Sequence, residues 1–280
     1  MTMLLTENPA VVLGEIAAML RTGDIVPYLG PGISALSDTA VPMAPEALAD
    51  FFASKTALPR RARGNAWAAA QYIESHRFRD TVTVWMNEAF ATPVEPSPFH
   101  RWLAGLPLPL IVDSWYTGEL RRALAGRSDW AEAQGITRAG IGEDRWFRYY
   151  DASGVQTEEE GVTAAATLLY TPHGGVQPAG NYLISDADYV EVLTEIDIQT
   201  PIPEEVRRRR TGKPFLFVGC HFHDQLLRNY ARQIMKRSSE RHYAIVDLAS
   251  LTRNERRFLD EQGIMPIDLP LAGALDILAA

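Results

Sequence analysis

The sequence predicts a doubly wound α/β fold, in which helices cover both faces of a central parallel sheet. Short apolar segments alternate with longer amphipathic segments along most of the chain, which indicates repeated strand–helix units. The apolar segments lack regular polar positions, as expected for strands that are buried on both faces. A chain of 280 residues, 46% of them hydrophobic, can form one domain over residues 1–280.

The first half of the chain predicts two strands that are separated by several helices. Asn8 and Pro9 begin a helix and Gly23 ends it, because these residue types suit the two ends of a helix. A strand at 25–29 follows and leads into a Gly-Pro-Gly turn. Helices are then predicted after Pro45, twice within 64–91, and from Pro98 to Gly105, before a second strand at 108–112 and a helix at 119–124.

Residues 126–162 differ in composition from the rest of the chain. They are polar and rich in glycine, with scattered aromatic residues and one or two predicted strands near 145–150. We interpret them as an inserted segment and expect it to pack as a small lobe or a lid.

The second half predicts four further apolar strands and the helices between them. The strands are at 167–170, 215–218, 243–246 and 264–267, and helices are predicted after the capping pair Ser185 and Asp188, at 203–210, at 225–236, after Thr252 and at 272–278. The four arginines at 207–210 suit the carboxyl end of a helix, where we expect them to be solvated, although they could also bind phosphate or a partner.

Composition argues against several classes of protein. The net charge is −8, so we expect neither nucleic acid nor an anionic membrane surface as a partner. Cys220 is the only cysteine, which excludes an internal disulfide and a cysteine-only zinc site. His221 and His223 lack an evident third ligand, and we predict no metal site. The chain has no run of eighteen apolar residues and no signal-like start, and we expect a cytoplasmic protein.

Function is expected where the strands end, because doubly wound sheets bind ligands outside the carboxyl ends of their strands. The corresponding turns are 30–34, 113–117, 171–175 and 219–224, together with Asp247. Gly30 and Gly32 lack a Cβ and flank Pro31, and Ser34 adds a hydroxyl. Such a turn either simply redirects the chain or presents N–H groups to a phosphate.

Four segments, in this order, resemble the SIR2-like family, and they resemble bacterial SIR2-domain NAD hydrolases more than the protein deacylases. The turn at 30–34 resembles the family's G-A-G-x-S turn, and the stretch at 98–107 resembles the helix before the second strand. His173-Gly174, with the stretch at 183–189, resembles the H-G…D-Y segment. The stretch at 217–224 resembles the hydrophobic-G-x-x-x-x-D turn.

The resemblance implies a Rossmann-like, SIR2-type fold with a site for NAD or an ADP-ribose-type nucleotide. The positions that it assigns to nucleotide binding are Gly30, Pro31, Gly32, Ile33, Ser34, Ser114, Gly174, Gly219, Cys220 and Asp224. Asp247 is added because an acidic residue at a strand end can bind a ribose hydroxyl. Each has a structural alternative: Asp224 can cap the following helix, and Cys220 can be an inert buried thiol.

The chain departs from the family pattern at the second strand, where D-S-W-Y-T stands in place of T-T-N-Y-D. His173 is retained as a candidate base, but Trp115 replaces the catalytic asparagine and Thr117 replaces the aspartate. The Trp115 indole has one N–H donor and no acceptor, so it cannot orient a water as an amide does. Asp113, two residues earlier, could substitute for the amide if it shares a face with Trp115. The cysteines of a deacylase zinc module are absent, which argues against deacylation.

Three hypotheses follow. The first is a nucleotide-binding protein with impaired hydrolysis, acting as a sensor or regulatory module through a protein partner or a homo-oligomer. The second is an active NAD hydrolase that uses His173 as base and Asp113 as the substitute. The third is a protein-interaction module without catalysis, in which Trp115 and its neighbours fill the pocket. An open cleft with the Gly30 and Gly32 amides directed into it would favour binding, and Trp115 packed across the cleft would favour the third hypothesis.

Overall fold

A nine-stranded sheet forms the centre of the protein, whose computed structural model describes residues 8–34, 36, 41–137, 145–195 and 201–280. The strands are β1 (Val26–Leu29), β2 (Leu110–Asp113), β3 (Trp130–Gly135), β4 (Phe147–Asp151), β5 (Gln156–Thr157), β6 (Thr167–Thr171), β7 (Gly174–Gly175), β8 (Asn181–Tyr182), β9 (Phe215–Val218), β10 (His242–Val246) and β11 (Ile264–Asp268). The order in the sheet is β11-β10-β9-β1-β2-β6-β3-β4-β5, and β7 and β8 form a separate antiparallel pair. All neighbours in the large sheet are parallel except the pairs made by β4.

Helices connect these strands and cover the sheet. They are α1 (Pro9–Thr22), α2 (Pro31–Ser34), α3 (Pro45–Lys55), α4 (Ala66–Arg77), α5 (Arg79–Ala89), α6 (Pro98–Ala104), α7 (Glu119–Leu124), α8 (Glu159–Thr163), α9 (Asp186–Glu195), α10 (Glu204–Arg210), α11 (Gln225–Met235), α12 (Arg253–Glu261) and α13 (Leu271–Ala279). Within the described ranges, none of them combines the length and the apolar character that crossing a bilayer requires.

The two faces of the sheet carry separate hydrophobic clusters, which confirms the predicted fold class. In β1, Val26 and Tyr28 belong to the cluster on one face, and Leu29 belongs to the cluster on the other face. Phe217 and Val218 of β9 divide in the same way. Because neither face is solvated, these strands are apolar without interruption. A third cluster joins α3, α4 and α5 to residues that follow β2 and β8.

The described part of 126–162 extends the sheet, which differs from the expected lobe or lid. β3 is parallel to β6, and β4 and β5 continue the sheet in antiparallel fashion. The strand at β3 escaped prediction because it carries Glu132 and Gln134, two polar side chains that are buried. Arg121 pairs with the Glu132 carboxylate, and Thr171 donates to it at 2.9 Å. Residues 138–144 of this segment lie outside the described residues.

The arginines of α10 are not a uniformly solvated helix end, so that prediction is wrong for two of them. Arg209 and Arg210 are buried. The Arg209 guanidinium binds Glu205 and the carbonyl groups of residues 109, 162, 165 and 166, beside the amino ends of β2 and β6. Arg210 donates to the carbonyl of Gln233 at 3.1 Å, near the end of α11. Backbone carbonyl groups therefore replace the water that the sequence pattern led us to expect.

Candidate functional site

A cleft lies at the carboxyl ends of the adjacent strands β1 and β9. The connection that leaves β1 leads to one side of the sheet, and the connection that leaves β9 leads to the other side. The volume of the cleft is about 510 Å³, including the part that is open to solvent. Doubly wound sheets bind ligands at such a switch point. The cleft is lined by Tyr28, Gly30 and Pro31, by residues 114–116 after β2, by His173 after β6, by residues 220–222 after β9, and by Pro45, Trp67, Tyr189, Leu227 and Ala231.

The glycine turn packs against the loop that follows β9. The Gly30 and Gly32 N–H groups each donate at 2.8 Å, to the carbonyls of Val218 and Gly219. A Cβ added to Gly30 would lie 2.4 Å from the Gly219 oxygen, so glycine is required here by close approach. The two amides are therefore used within the protein and do not point into the cleft, contrary to the arrangement that a phosphate cradle would need.

Two residues at the end of this turn also face away from the cleft. Ile33 is buried in the hydrophobic cluster that contains α1 and α13. The Ser34 hydroxyl donates to the buried carboxylate of Glu119. Gly30 and Pro31 line the cleft, whereas Gly32, Ile33 and Ser34 do not.

His173 is the only ionisable residue of the predicted catalytic set that lines the cleft, among the residues described. Its Nδ1 lies 3.0 Å from the Ser114 carbonyl oxygen, and its buried Nε2 has no hydrogen-bond partner. The ring meets Tyr189 and Tyr230 edge to face, at centroid distances of 5.3 and 5.2 Å. Burial lowers the pKa of His173 to about 4. The imidazole is therefore neutral near pH 7, with a lone pair available on Nε2.

The turn after His173 holds the imidazole in place. Gly174 has a φ of +82°, and a Cβ there would lie 2.1 Å from the Asn181 oxygen. The Leu183 N–H donates to the His173 carbonyl at 2.8 Å, which ties the turn to β8. Gly174 thus has a backbone role here, and it lines a second cavity instead of the cleft.

Trp115 forms part of the cleft wall and does not fill the cleft. Its Nε1–H donates to the Pro42 carbonyl at 3.2 Å, and its ring meets Phe90 edge to face at 6.1 Å. The side chain is 4% exposed and belongs to the cluster around α3, α4 and α5. The indole N–H is thereby occupied and the indole has no acceptor, so Trp115 cannot orient a water as an asparagine amide would.

Asp113 does not line the His173 cleft, although it lies close enough to the lining residue Cys220 to add to the rise that burial causes in the pKa of that thiol. Asp113 lines a second cavity of about 230 Å³, including the part that is open to solvent, with Arg121 and Glu132, and of the described residues only Trp115 and Tyr116 line both spaces. The Asp113 carboxylate accepts a hydrogen bond from the backbone N–H of Trp115 at 3.3 Å. Burial raises its pKa to about 7. His173 lines the cleft and Asp113 lines the second cavity, so the substitution of Asp113 for the missing amide stays a prediction.

The loop after β9 contributes its middle part to the cleft. Gly219 has a φ of +66° and receives the Gly32 N–H, but it does not line the cleft. Cys220 does line it, and burial raises the pKa of its thiol, which makes a thiolate unfavourable. Asp224 lies outside the cleft lining, and Asp247 is exposed and accepts the Ala249 N–H at 2.9 Å. The predicted nucleotide-binding residues that meet at one place are thus Gly30, Pro31, Ser114 and Cys220.

Sequence reasoning missed the aromatic side chains that helices contribute to the cleft. Trp67 comes from α4 and Tyr189 from α9. Ser185 and Asp188 cap α9 reciprocally, with N···O distances of 3.2 and 3.0 Å, as predicted. The resemblance at 183–189 includes Tyr189 but implies no role for it. Across the described ranges, no three His, Cys, Asp or Glu side chains converge on a position for a metal ion.

Comparison with protein-family models gives a match over part of the chain. A model for a SIR2-like domain matches residues 109–267, which is more than half of the chain. The match contains the turns after β2, β6 and β9, whereas the glycine turn and Trp67 lie before it. No curated protein matches the chain.

Proposed function

The chain belongs to the SIR2-like domain family, and from this premise we propose that its cleft binds an NAD-type nucleotide. The observation that carries the proposal is the cleft at the switch point, with the neutral His173 imidazole on its wall and Nε2 unpaired. A buried acceptor without a partner is unfavourable in the free protein, and a ligand hydroxyl would satisfy it.

The lining suits the rings of a nucleotide. Trp67, Tyr116 and Tyr189 present aromatic surface, and a few polar groups lie between them. Ligand sites of this kind combine apolar walls with a small number of placed polar atoms. Ser114 contributes a hydroxyl that already donates to the Leu29 carbonyl at 2.7 Å and can still accept a hydrogen bond.

The same lining favours binding over fast cleavage of the nicotinamide–ribose bond. His173 can accept a proton, but none of the described lining residues carries a carboxylate or an amide. The indole N–H of Trp115 donates to the Pro42 carbonyl. We therefore infer a sensor or regulatory role, in which the nucleotide-bound form acts through a protein partner or a second copy of the chain.

Calorimetric titration with NAD and with ADP-ribose tests the proposal, with nicotinamide release measured in the same samples. We expect both nucleotides to bind and nicotinamide to remain attached over the titration. His173→Phe should weaken binding because it keeps an aromatic ring and removes both ring nitrogens, whereas His76→Phe, on the exposed surface of α4, should not. If neither nucleotide binds the wild-type protein, the proposal is wrong.

NAD hydrolysis is the second candidate, and the neutral His173 with its free Nε2 is the observation that favours it. In that case, nicotinamide would be released by the wild-type protein and not by His173→Gln. Asp113→Asn would leave the rate unchanged, because Asp113 does not line the cleft. Loss of nicotinamide release in Asp113→Asn would instead show that the Asp113 carboxylate takes part in the reaction.

A further inference from the structure

The glycine turn after β1 uses its N–H groups within the protein. The N–H groups of Gly30 and Gly32 donate at 2.8 Å to carbonyl groups at the end of β9 and just after it, and the Ile33 N–H donates to the Gly30 carbonyl at 3.3 Å. Pro31 lines the cleft and has no N–H. A turn that holds a phosphate does so with free N–H groups, and residues 30–33 offer none.

The segments that surround the cleft also lack cations that could balance a phosphate. Lysine and arginine are absent from three segments that end strands at the cleft, which are 22–54, 113–120 and 171–190. The first arginine after β9 is Arg228, and its guanidinium donates to the carbonyls of Phe222 and His223 at 2.6 and 2.8 Å. The described residues that line the cleft include neither lysine nor arginine.

Acidic side chains stand at the amino ends of two helices that line the cleft. Asp186 begins α9, which contributes Tyr189, and Asp224 directly precedes α11, which contributes Leu227. Burial and, to a smaller extent, the charge of Asp224 raise the pKa of Asp186, so the two carboxyl groups lie near each other. The amino end of a helix attracts anions, and here the protein's own carboxyl groups occupy that position. A ligand phosphate placed there would be repelled.

The groups that the cleft does offer suit an uncharged base and sugar. Aromatic surface comes from Tyr28, Tyr116 and Phe222, among others. The polar groups of the lining include the Ser114 hydroxyl and the neutral imidazole of His173. A nucleoside combines an aromatic base with the hydroxyl groups of a ribose, so it matches such a lining without any phosphate.

We propose that the cleft recognises the nucleoside portion of its ligand and binds an unphosphorylated nucleoside about as well as the matching nucleotide, whose phosphates stay in solvent. The proposal rests on the proposed function, because it concerns the same cleft, and it adds the chemical class of ligand. Pro31 is the residue that sets this preference, since it stands where the G-A-G-x-S pattern has an alanine with an N–H.

Calorimetric titration with two matched pairs of ligands tests the preference. The pairs are nicotinamide riboside with nicotinamide mononucleotide, and adenosine with AMP, and the members of each pair differ by one phosphate. We expect at least one nucleoside to bind, with an affinity within about threefold of that of its nucleotide. The affinity for NAD should change by less than about twofold between about 0.05 and 0.3 M salt, because no cation of the cleft pairs with its phosphates.

Restoring the missing N–H tests the role of Pro31. Pro31→Ala should tighten the binding of the mononucleotide by about three- to tenfold, because an N–H that donates to a charged phosphate oxygen forms a strong hydrogen bond. Binding of the nucleoside should stay within about twofold of wild type. Pro45→Ala is the matched control, because Pro45 also begins a helix and lines the cleft. It should change the affinities for nucleoside and nucleotide equally, and thermal unfolding establishes that both variants are folded.

The outcomes separate this inference from the proposed function. If the wild-type protein binds neither nucleosides nor nucleotides, both are wrong. If NAD binds and no nucleoside does, or if a nucleotide binds at least about tenfold more tightly than its nucleoside, the inference alone is wrong. Binding of a nucleoside without NAD would support the inference and contradict the proposed function. An equal effect of Pro31→Ala on nucleoside and nucleotide would exclude Pro31 as the residue that sets the preference.

Discussion

The Nδ1 atom of His173 lies 3.0 Å from the backbone carbonyl oxygen of Ser114. Because a carbonyl can only accept, Nδ1 carries the proton and Nε2 keeps its lone pair. Ser114 is itself fixed to β1, since its N–H and its hydroxyl donate to the Leu29 carbonyl at 2.9 and 2.7 Å. Two adjacent central strands therefore set the tautomer and the direction of the candidate base.

The low pKa of His173 predicts how its contribution to stability depends on pH. In the folded state the pKa of His173 is about 4, so its ring is neutral above that pH. In an unfolded chain the ring takes up the proton near pH 6.5. Stability that depends on the neutral ring is therefore lost as the pH falls from about 6.5 to 4. Relative to His173→Gln, the wild-type free energy of unfolding should fall by up to about 1.4 kcal/mol per pH unit in this window.

Denaturant unfolding at several pH values measures this difference. His76→Gln serves as the control, because His76 is exposed on α4. A difference between wild type and His173→Gln that stays constant from pH 7 to 4 would contradict a buried neutral imidazole.

Asp113 predicts a dependence of the opposite sign. Burial raises its pKa to about 7, so the folded state keeps the proton over a range in which the unfolded chain has lost it. Wild-type stability relative to Asp113→Asn should fall as the pH rises from about 4 to 7 and then stay level. The amide oxygen of the variant can still accept the Trp115 N–H.

The same unfolding series tests it, with Asp247→Asn as the matched control. Asp247 also accepts a backbone N–H two residues on, but it is exposed. If Asp247→Asn changed the pH dependence of the free energy of unfolding as much as Asp113→Asn does, burial would be excluded as the cause.

The sequence allowed the strands around the cleft to be predicted because their signal is local. An uninterrupted apolar run such as β9 is typical of a strand that is buried on both faces, whatever its partners are. The turns that end these strands follow directly, which placed His173, Ser114 and Cys220 at the correct edge of the sheet.

What escaped prediction depends on contacts between distant segments. Trp67 looks like an ordinary core residue in an alanine-rich helix, and only the folded chain shows that it meets Tyr189, 122 positions later, on the cleft wall. A glutamate such as Glu132 is expected at the surface, but in the folded chain it is buried and forms an ion pair with Arg121. The position of Asp113 depended on where β2 ends, which sequence patterns locate poorly.

Arg209 predicts a large effect for a conservative change. Its planar guanidinium makes hydrogen bonds to Glu205 and to several backbone carbonyls beside β2 and β6, an arrangement that a lysine ammonium cannot reproduce. Arg209→Lys should lower the free energy of unfolding by about 2–4 kcal/mol, because buried carbonyls lose their donors. Arg208→Lys is the control: Arg208 binds the same Glu205, but its side chain is 60% exposed, so we expect a change within about 0.5 kcal/mol. Equal effects in chemical denaturation would contradict this role of Arg209.

Two glycine-to-alanine changes should move stability in opposite directions. At Gly30 the new methyl group would lie 2.4 Å from the Gly219 oxygen and 2.8 Å from the Cys220 Cα, both backbone atoms, so the loops after β1 and β9 would have to separate. We expect a loss of about 2–3 kcal/mol, together with weaker nucleotide binding, because these loops form the cleft. At Gly14, in the middle of α1, the methyl group would meet no atom within 4 Å, and alanine should stabilise the helix by about 0.5–1 kcal/mol. Thermal unfolding of the two variants measures both signs, and a Gly30→Ala protein as stable as wild type would mean that close contact between the loops is not what requires glycine there.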